Sequence, residues 1–214
     1  MAPRGRRRKK QAPIKQDNAL EIRIVDTALQ LADEVGWHNV TLREVSARLD
    51  LPMAVVQSRY RDLDAVADAW FARAWQAMLA EPPETLRGLS AEARLQLLLM
   101  SWFDALATHR KVSCQMLREK LYPAHPHHWI PLIFNLSRTI QLLRDASLLV
   151  ADGRQRQIEE LGLSALFLAT LRVWCRDETA GQERTRAYLR RRLTAADRVM
   201  TGLWRRRQRT APDL

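Results

Sequence analysis

Between Val40 and Leu63 the chain reads VTLREVSARLDLPMAVVQSRYRDL, and its local signals leave few folds open. Thr41 followed by Glu44 has the spacing of a capping box, in which a hydroxyl and a carboxylate satisfy backbone N–H groups at a helix start. Leu42, Val45 and Leu49 share one face of that helix. Asp50-Leu51-Pro52 then breaks the period, because proline clashes with a preceding helical turn but fits the first turn of a new one. A second helix begins near Met53, turning Val56 and Tyr60 inward and leaving Met53, Val55, Gln57, Ser58, Arg59 and Arg61 along the remaining surface. Helix, turn of about three or four residues, helix is the shape that lays its second helix into the DNA major groove.

The segment from about Ile22 to Trp70 resembles the N-terminal DNA-binding domain of TetR-type regulators. The resemblance rests on IVDTALQLADEVGWHNVTLREVSARLDLP, on Tyr60 and on the acidic restart at Asp62 to Asp64. Glycine in the turn, a serine cap, a following basic or small residue, a later tyrosine and a lysine opening the next helix are usual in that family; this chain has Asp50, Pro52, Met53, Gln57 and Leu63. The resemblance implies an all-α fold, with a three-helix helix-turn-helix domain followed by a larger helical bundle. It also implies a homodimer on double-stranded DNA. The DNA-facing candidates are Thr41, Arg43, Met53, Ala54, Gln57, Ser58, Arg59 and Arg61, with Gln57, Ser58 and Arg59 on bases or phosphates and Thr41, Arg43 and Arg61 on the backbone. A second stretch, from about Arg118 to Arg198, is similar to the TetR-like lipid-binding accessory proteins of coenzyme Q biosynthesis. That similarity implies the same architecture used on membrane lipid, without gene regulation.

The net charge of +11 is not spread evenly. Residues 1–16 carry seven basic and no acidic residues and residues 184–214 carry ten basic and two acidic, which leaves −4 for residues 17–183. Arg4, Arg6, Arg7, Arg8, Lys9 and Lys10 repel one another within an aperiodic segment, which reads as a disordered arm over 1–16. Such an arm neutralises phosphates beside a recognition helix or is simply a solvated end. Two cysteines, Cys114 and Cys175, are too few for a disulfide framework, and with no signal peptide or long apolar span the chain reads as cytoplasmic with two reduced core thiols.

Apolar spacing divides the rest into helices. Leu20, Ile24, Ala28, Leu31 and Val35 make a core stripe on a first helix from Asp17 or Asn18, ended by Gly36 with Trp37 packing below the motif. Asp62 caps a helix carrying Val66, Trp70, Ala74, Ala77 and Met78 up to Pro82-Pro83, and Ser90 caps another carrying Leu95, Leu99, Trp102 and Leu106. A shorter helix runs from about Lys111 to Tyr122. Pro123, Pro126 and Pro131 around His125, His127 and His128 read as an irregular loop over a pocket mouth, short of the three or four convergent ligands of a zinc site. Leu132, Leu136, Ile140 and Leu143 stripe the next helix, closed by Asp152-Gly153.

From Arg154 to about Arg176 the apolar residues cover more than one side, so that helix lies at the domain centre or meets a second subunit. With the seam Leu189, Leu193, Ala196, Met200 and Leu203 on the last helix it suggests a four-helix bundle across a twofold axis, to which Phe167 and Leu171 would contribute. VMTGLWRRRQRT either continues that seam or forms a membrane-surface segment. Trp102, Trp129 and Trp174 line a cavity for a small hydrophobic effector or are simply core.

No motif for acyl transfer, metal hydrolysis, redox or nucleotide binding occurs, and Glu159 and Glu160 read as ordinary solvated carboxylates. The expectation is a non-enzymatic chain without metal or cofactor. It divides into the arm at 1–16, the helix-turn-helix domain at 17–61, a ligand-binding and dimerisation domain at 62–207 and a tail at 208–214.

Overall fold

The computed structural model describes residues 12–120 and 126–209, and their side chains except at 12–16, 83, 126–135 and 203–209. The arm residues Arg4 to Lys10, together with Tyr122, Pro123 and His125, lie outside the described residues, as do the side chains of Trp129 and Leu203. Every regular element among the described residues is helical, and the chain divides into two compact units, up to Ala72 and from Arg73 onward. The division falls within the helix that opens the second domain of the sequence reading.

In the first unit, α1 (Ala12–Val35) packs on α2 (Leu42–Arg48), and α2 packs on α3 (Met53–Gln57). α1 starts five residues or more before the expected boundary, so its first turns take up the end of the expected arm. Ile24, Ala28 and Leu31 are buried as their spacing requires, joined by Val25, Leu29 and Ala32, whereas Val35 is exposed at the helix end. Gly36 then takes φ 84°, ψ 145°, a conformation open essentially to glycine alone, and a 3-10 turn delivers buried Trp37. Between α2 and α3 the chain reverses through Asp50 at φ 53°. Its N–H donates to the Ala47 carbonyl, and the Leu51 N–H donates to that of Ser46. That is the Schellman closure, with aspartate in the left-handed position where glycine is commoner.

α4 (Leu63–Leu79) begins under the Asp62 cap, whose carboxylate accepts from the Ala65 N–H at 2.9 Å. α5 (Pro83–Arg87) is a short helix that the sequence did not announce, with proline in its first turn. α6 (Ala91–Leu106) starts on the Ser90 hydroxyl and buries Leu95, Leu99, Trp102 and Leu106. α7 (Arg110–Lys120) follows after a 3-10 turn. α8 (Pro126–Ala146) corrects the loop reading: His127, His128 and Pro131 belong to its first two turns, because a proline opening a helix reads in sequence like a proline breaking one.

α9 (Gly153–Trp174) packs against α8 on one side and α10 (Glu183–Arg209) on another, and α10 also packs on α6. Trp75, Trp102, Phe103, Phe167 and Trp174 meet at the centre with ring centroids 5.1 to 6.5 Å apart. The cysteines are not reduced: Cys114 of α7 and Cys175 at the end of α9 form a disulfide with Cα atoms 5.8 Å apart. Their pairing is set by tertiary proximity across 61 residues of sequence, which composition does not register.

The loop from α9 to α10 is pinned by side chains. Asp177 is fully buried and accepts from the N–H and hydroxyl of both Thr179 and Thr185 at 2.5 to 3.0 Å. Burial pushes its carboxyl up, but those four hydrogen bonds outweigh burial and bring its pKa down to about 2. Gln182 accepts from the Trp174 indole N–H and donates to Asp104, and Arg186 grips the same Asp104 through both carboxylate oxygens.

Candidate nucleic-acid interface and subunit face

The capping box sets the entry angle of α2. Thr41 Oγ1 accepts from the Glu44 N–H at 3.2 Å, while Glu44 Oε2 accepts from the Thr41 N–H and hydroxyl, each at 2.8 Å. Arg48 clasps Glu34 of α1 with two hydrogen bonds, at 2.9 and 3.1 Å, which hold the Glu34 carboxyl below the usual carboxylate range. Val45 and Val56 are fully buried, so packing from α2 and α3 together fixes the rotation of α3 about its own axis.

That rotation leaves Ala54, Gln57, Ser58, Arg59 and Arg61 exposed, with Met53 and Val55 half-buried. Thr41 and Arg43 are exposed at the start of α2. All eight nominated residues therefore lie on the motif, seven of them exposed. Three have local engagements, of which the sequence revealed only the first. The Thr41 hydroxyl belongs to the cap, Arg59 is ion-paired at 2.6 Å with Asp17 of α1, and Arg61 at 2.8 Å with its neighbour Asp62. Asp17 is 42 residues from Arg59 in sequence, and only the packing of α1 brings the two together.

In the second unit the nominated dimer residues divide. Phe167, Leu171, Leu189 and Leu193 are buried within the subunit, between α9, α10 and the aromatic centre, while Ala196 is exposed and Met200 half-buried. The stripe read from sequence is thus mainly the inner one. The outer stripe of α9 consists of Ile158, Leu161, Gly162, Ala165 and Leu168, with Leu161 at 74% exposure. Ile158, Gly162 and Ala165 of this stripe, with Ala195, Ala196 and Val199 of α10, border an open apolar groove of about 630 Å³. On a helix apolar around two sides, periodicity does not tell which side faces in.

Trp102 and Trp174 belong to the packed centre and do not line this groove. Glu159, which lines the groove, and its neighbour Glu160 are not solvated as expected. They face the guanidinium of Arg144, itself 2% exposed, at 3.0 and 3.6 Å, and Arg144 also donates to the Ala151 carbonyl. Among the described residues no three His, Cys, Asp or Glu side chains converge as a metal site, and no helix is long and apolar enough to cross a membrane.

Comparison with solved structures is decisive for the family. A TetR transcriptional regulator from Nitrosomonas europaea superposes with a TM-score of 0.75 at 38% identity, over 84% of this chain and 98% of that one. The chain belongs to the TetR family of transcriptional regulators. A TetR regulator from a Rhodococcus species shares the fold at TM-score 0.61 and 14% identity, over 84% of this chain and 96% of that one. So does the multidrug binding protein EbrR, solved with imidazole, at TM-score 0.50 and 19% identity, over 90% and 97%. An HTH-type transcriptional regulator in the dhlA 5′ region of Xanthobacter autotrophicus is 33% identical over 110 residues, 49% of this chain and 52% of its own. The TetR-family chain thus spans about half the length of that curated relative. No family model matches it. The Nitrosomonas and Xanthobacter relatives are transcriptional regulators, which are not enzymes.

Proposed function

We propose that this TetR-family protein binds a pseudo-palindromic DNA duplex as a homodimer in the cytoplasm and is released from it by a small hydrophobic effector, acting as a repressor. The observation that carries the DNA reading is the exposed face of α3, where Ala54, Gln57 and Ser58 stand clear of the core at helical spacing, with Thr41 and Arg43 exposed at the start of α2. Buried Val45 and Val56 hold that face rigid. In this reading Arg59, ion-paired with Asp17, contacts a backbone phosphate, and the basic residues Arg4 to Lys10 add sequence-independent attraction.

The dimer is supported by the outer stripe of α9 and α10, in which Gly162, Ala165, Ala195 and Ala196 let a second helix pair approach closely. A second copy of the chain seats its own stripe in the groove, and the pair spaces two recognition helices by about 34–36 Å. The effector reading rests on the aromatic centre in the second unit. Trp102 and Trp174 are buried there, so an apolar compound enters by parting the cluster and favours the arrangement that does so.

The test is selection of bound fragments from genomic DNA, followed by titration of the complex with apolar compounds while tryptophan emission is recorded. An enriched short palindrome, lost in the double variant Gln57→Ala with Arg59→Ala, supports the reading. No enriched site, together with flotation on anionic liposomes that disappears when residues 203–214 are removed, replaces it with the lipid-binding alternative.

A further inference from the structure

The chemistry of the exposed α3 face restricts which base pairs it can read. From Met53 to Gln57 the helix holds no lysine, arginine, aspartate or glutamate. In the major groove guanine is read by the paired donors of Arg or Lys, and the cytosine amino group by a carboxylate, so neither partner of a G·C pair has a charged reader on this helix. The exposed groups are a methyl at Ala54 and a carboxamide at Gln57, three residues apart and on one face, with the Ser58 hydroxyl beside them. Ser58 donates its hydroxyl proton to the Val55 carbonyl at 2.7 Å, which leaves its oxygen as an acceptor.

The two arginines that follow are held off the helix. Arg59 is drawn to α1 by Asp17, and Arg61 is paired with Asp62 at the start of α4. A carboxamide offers one donor and one acceptor side by side, which matches the N7 acceptor and N6 donor of adenine, and an alanine methyl packs on the thymine C5-methyl. We propose that the half-site core read by α3 is an A·T element, with Gln57 paired to adenine N6 and N7 and Ala54 seated on a thymine methyl. This rests on the DNA-binding reading above and adds the base identity to it.

The experiment uses the full-length protein and a randomised duplex pool, followed by base-analogue substitution in the enriched duplex. Each half-site should carry invariant A·T pairs at the positions whose preference flattens in Gln57→Ala. That preference should be roughly 5- to 150-fold over a G·C pair in the wild type. Replacing thymine by uracil, which removes only the methyl, should weaken wild-type binding at the Ala54 position and nowhere else in the half-site. Gln57→Arg should retain binding but move the preference at its own position toward G·C. An enriched duplex whose Gln57-dependent positions are G·C, or one indifferent to uracil throughout, overturns the base assignment while leaving DNA binding intact. Failure to enrich any duplex removes the DNA-binding reading itself.

Discussion

Asp177 shows how much one carboxylate contributes when the fold surrounds it with donors. Its unfolded pKa is near 3.9 and its folded pKa about 2, so the ionised form is favoured by the native state. A depressed folded value means that the contribution is complete above the unfolded pKa and fades as pH falls through the folded one. The shift corresponds to about 2–3 kcal/mol. Stability should therefore be insensitive to this group from pH 5 to 8 and fall between about pH 4 and 2. In Asp177→Asn the deficit relative to wild type should be constant across the neutral range and shrink below pH 4, measured by urea unfolding at each pH. A deficit independent of pH down to 2 would mean that the charge is immaterial. The residue was invisible in the sequence as a functional group, because its donors Thr179 and Thr185 matter only once the α9–α10 loop folds back.

At the scale of elements, legibility followed locality. The Thr41–Glu44 box, the Asp62 and Ser90 caps and the stripe on α6 are formed by neighbours in sequence, and each appears as the spacing demands. Asp50 was seen as part of a break, yet its left-handed φ required knowing that the turn closes as a Schellman motif. Proline at 126 was seen and misplaced, since the same residue opens or ends a helix. What depends on neighbours distant in sequence did not show. The Cys114–Cys175 link, the Asp17–Arg59 pair and the burial of Arg144 against Glu159 are examples. The disulfide ties α7 to the end of α9 across a long loop, and removing such a link costs about 2–4 kcal/mol by loss of its constraint on the unfolded chain. Cys114→Ser, or reduction with dithiothreitol, should lower the unfolding midpoint accordingly, and unreduced protein should be about 2 Da lighter than reduced protein. Two alkylatable thiols in protein purified without reductant, with an unchanged midpoint after reduction, would contradict the link.

For the whole molecule the all-α class and the helix-turn-helix were legible in the sequence, while the stripe of α9 that stays exposed emerged only from burial. Leu193→Arg, the obvious substitution from the sequence, now tests the core, because Leu193 is buried within its own subunit. Gly162 is the better probe. A Cβ built there meets nothing within 4 Å, so a side chain fits the subunit and helix propensity improves by roughly 1 kcal/mol. Gly162→Arg should leave the unfolding midpoint unchanged or raised, yet place a charge where the second copy would pack. Sedimentation should turn a wild-type dimer into a monomer at micromolar concentration. A dimer that survives this change would move the interface off α9.

The proposed function needs two surfaces, the exposed α3 face to read a half-site and the α9–α10 stripe to pair two such faces. Hydroxyl-radical footprinting on an enriched genomic duplex, with protein stoichiometry measured in the same complex, tests both together. Two protected half-sites about one helical turn apart, or a whole multiple of that, with protomers bound in pairs and protection lost in both Gln57→Ala with Arg59→Ala and Gly162→Arg, is the expected result. A single protected patch holding one protomer, or uniform protection along any duplex, would contradict the account.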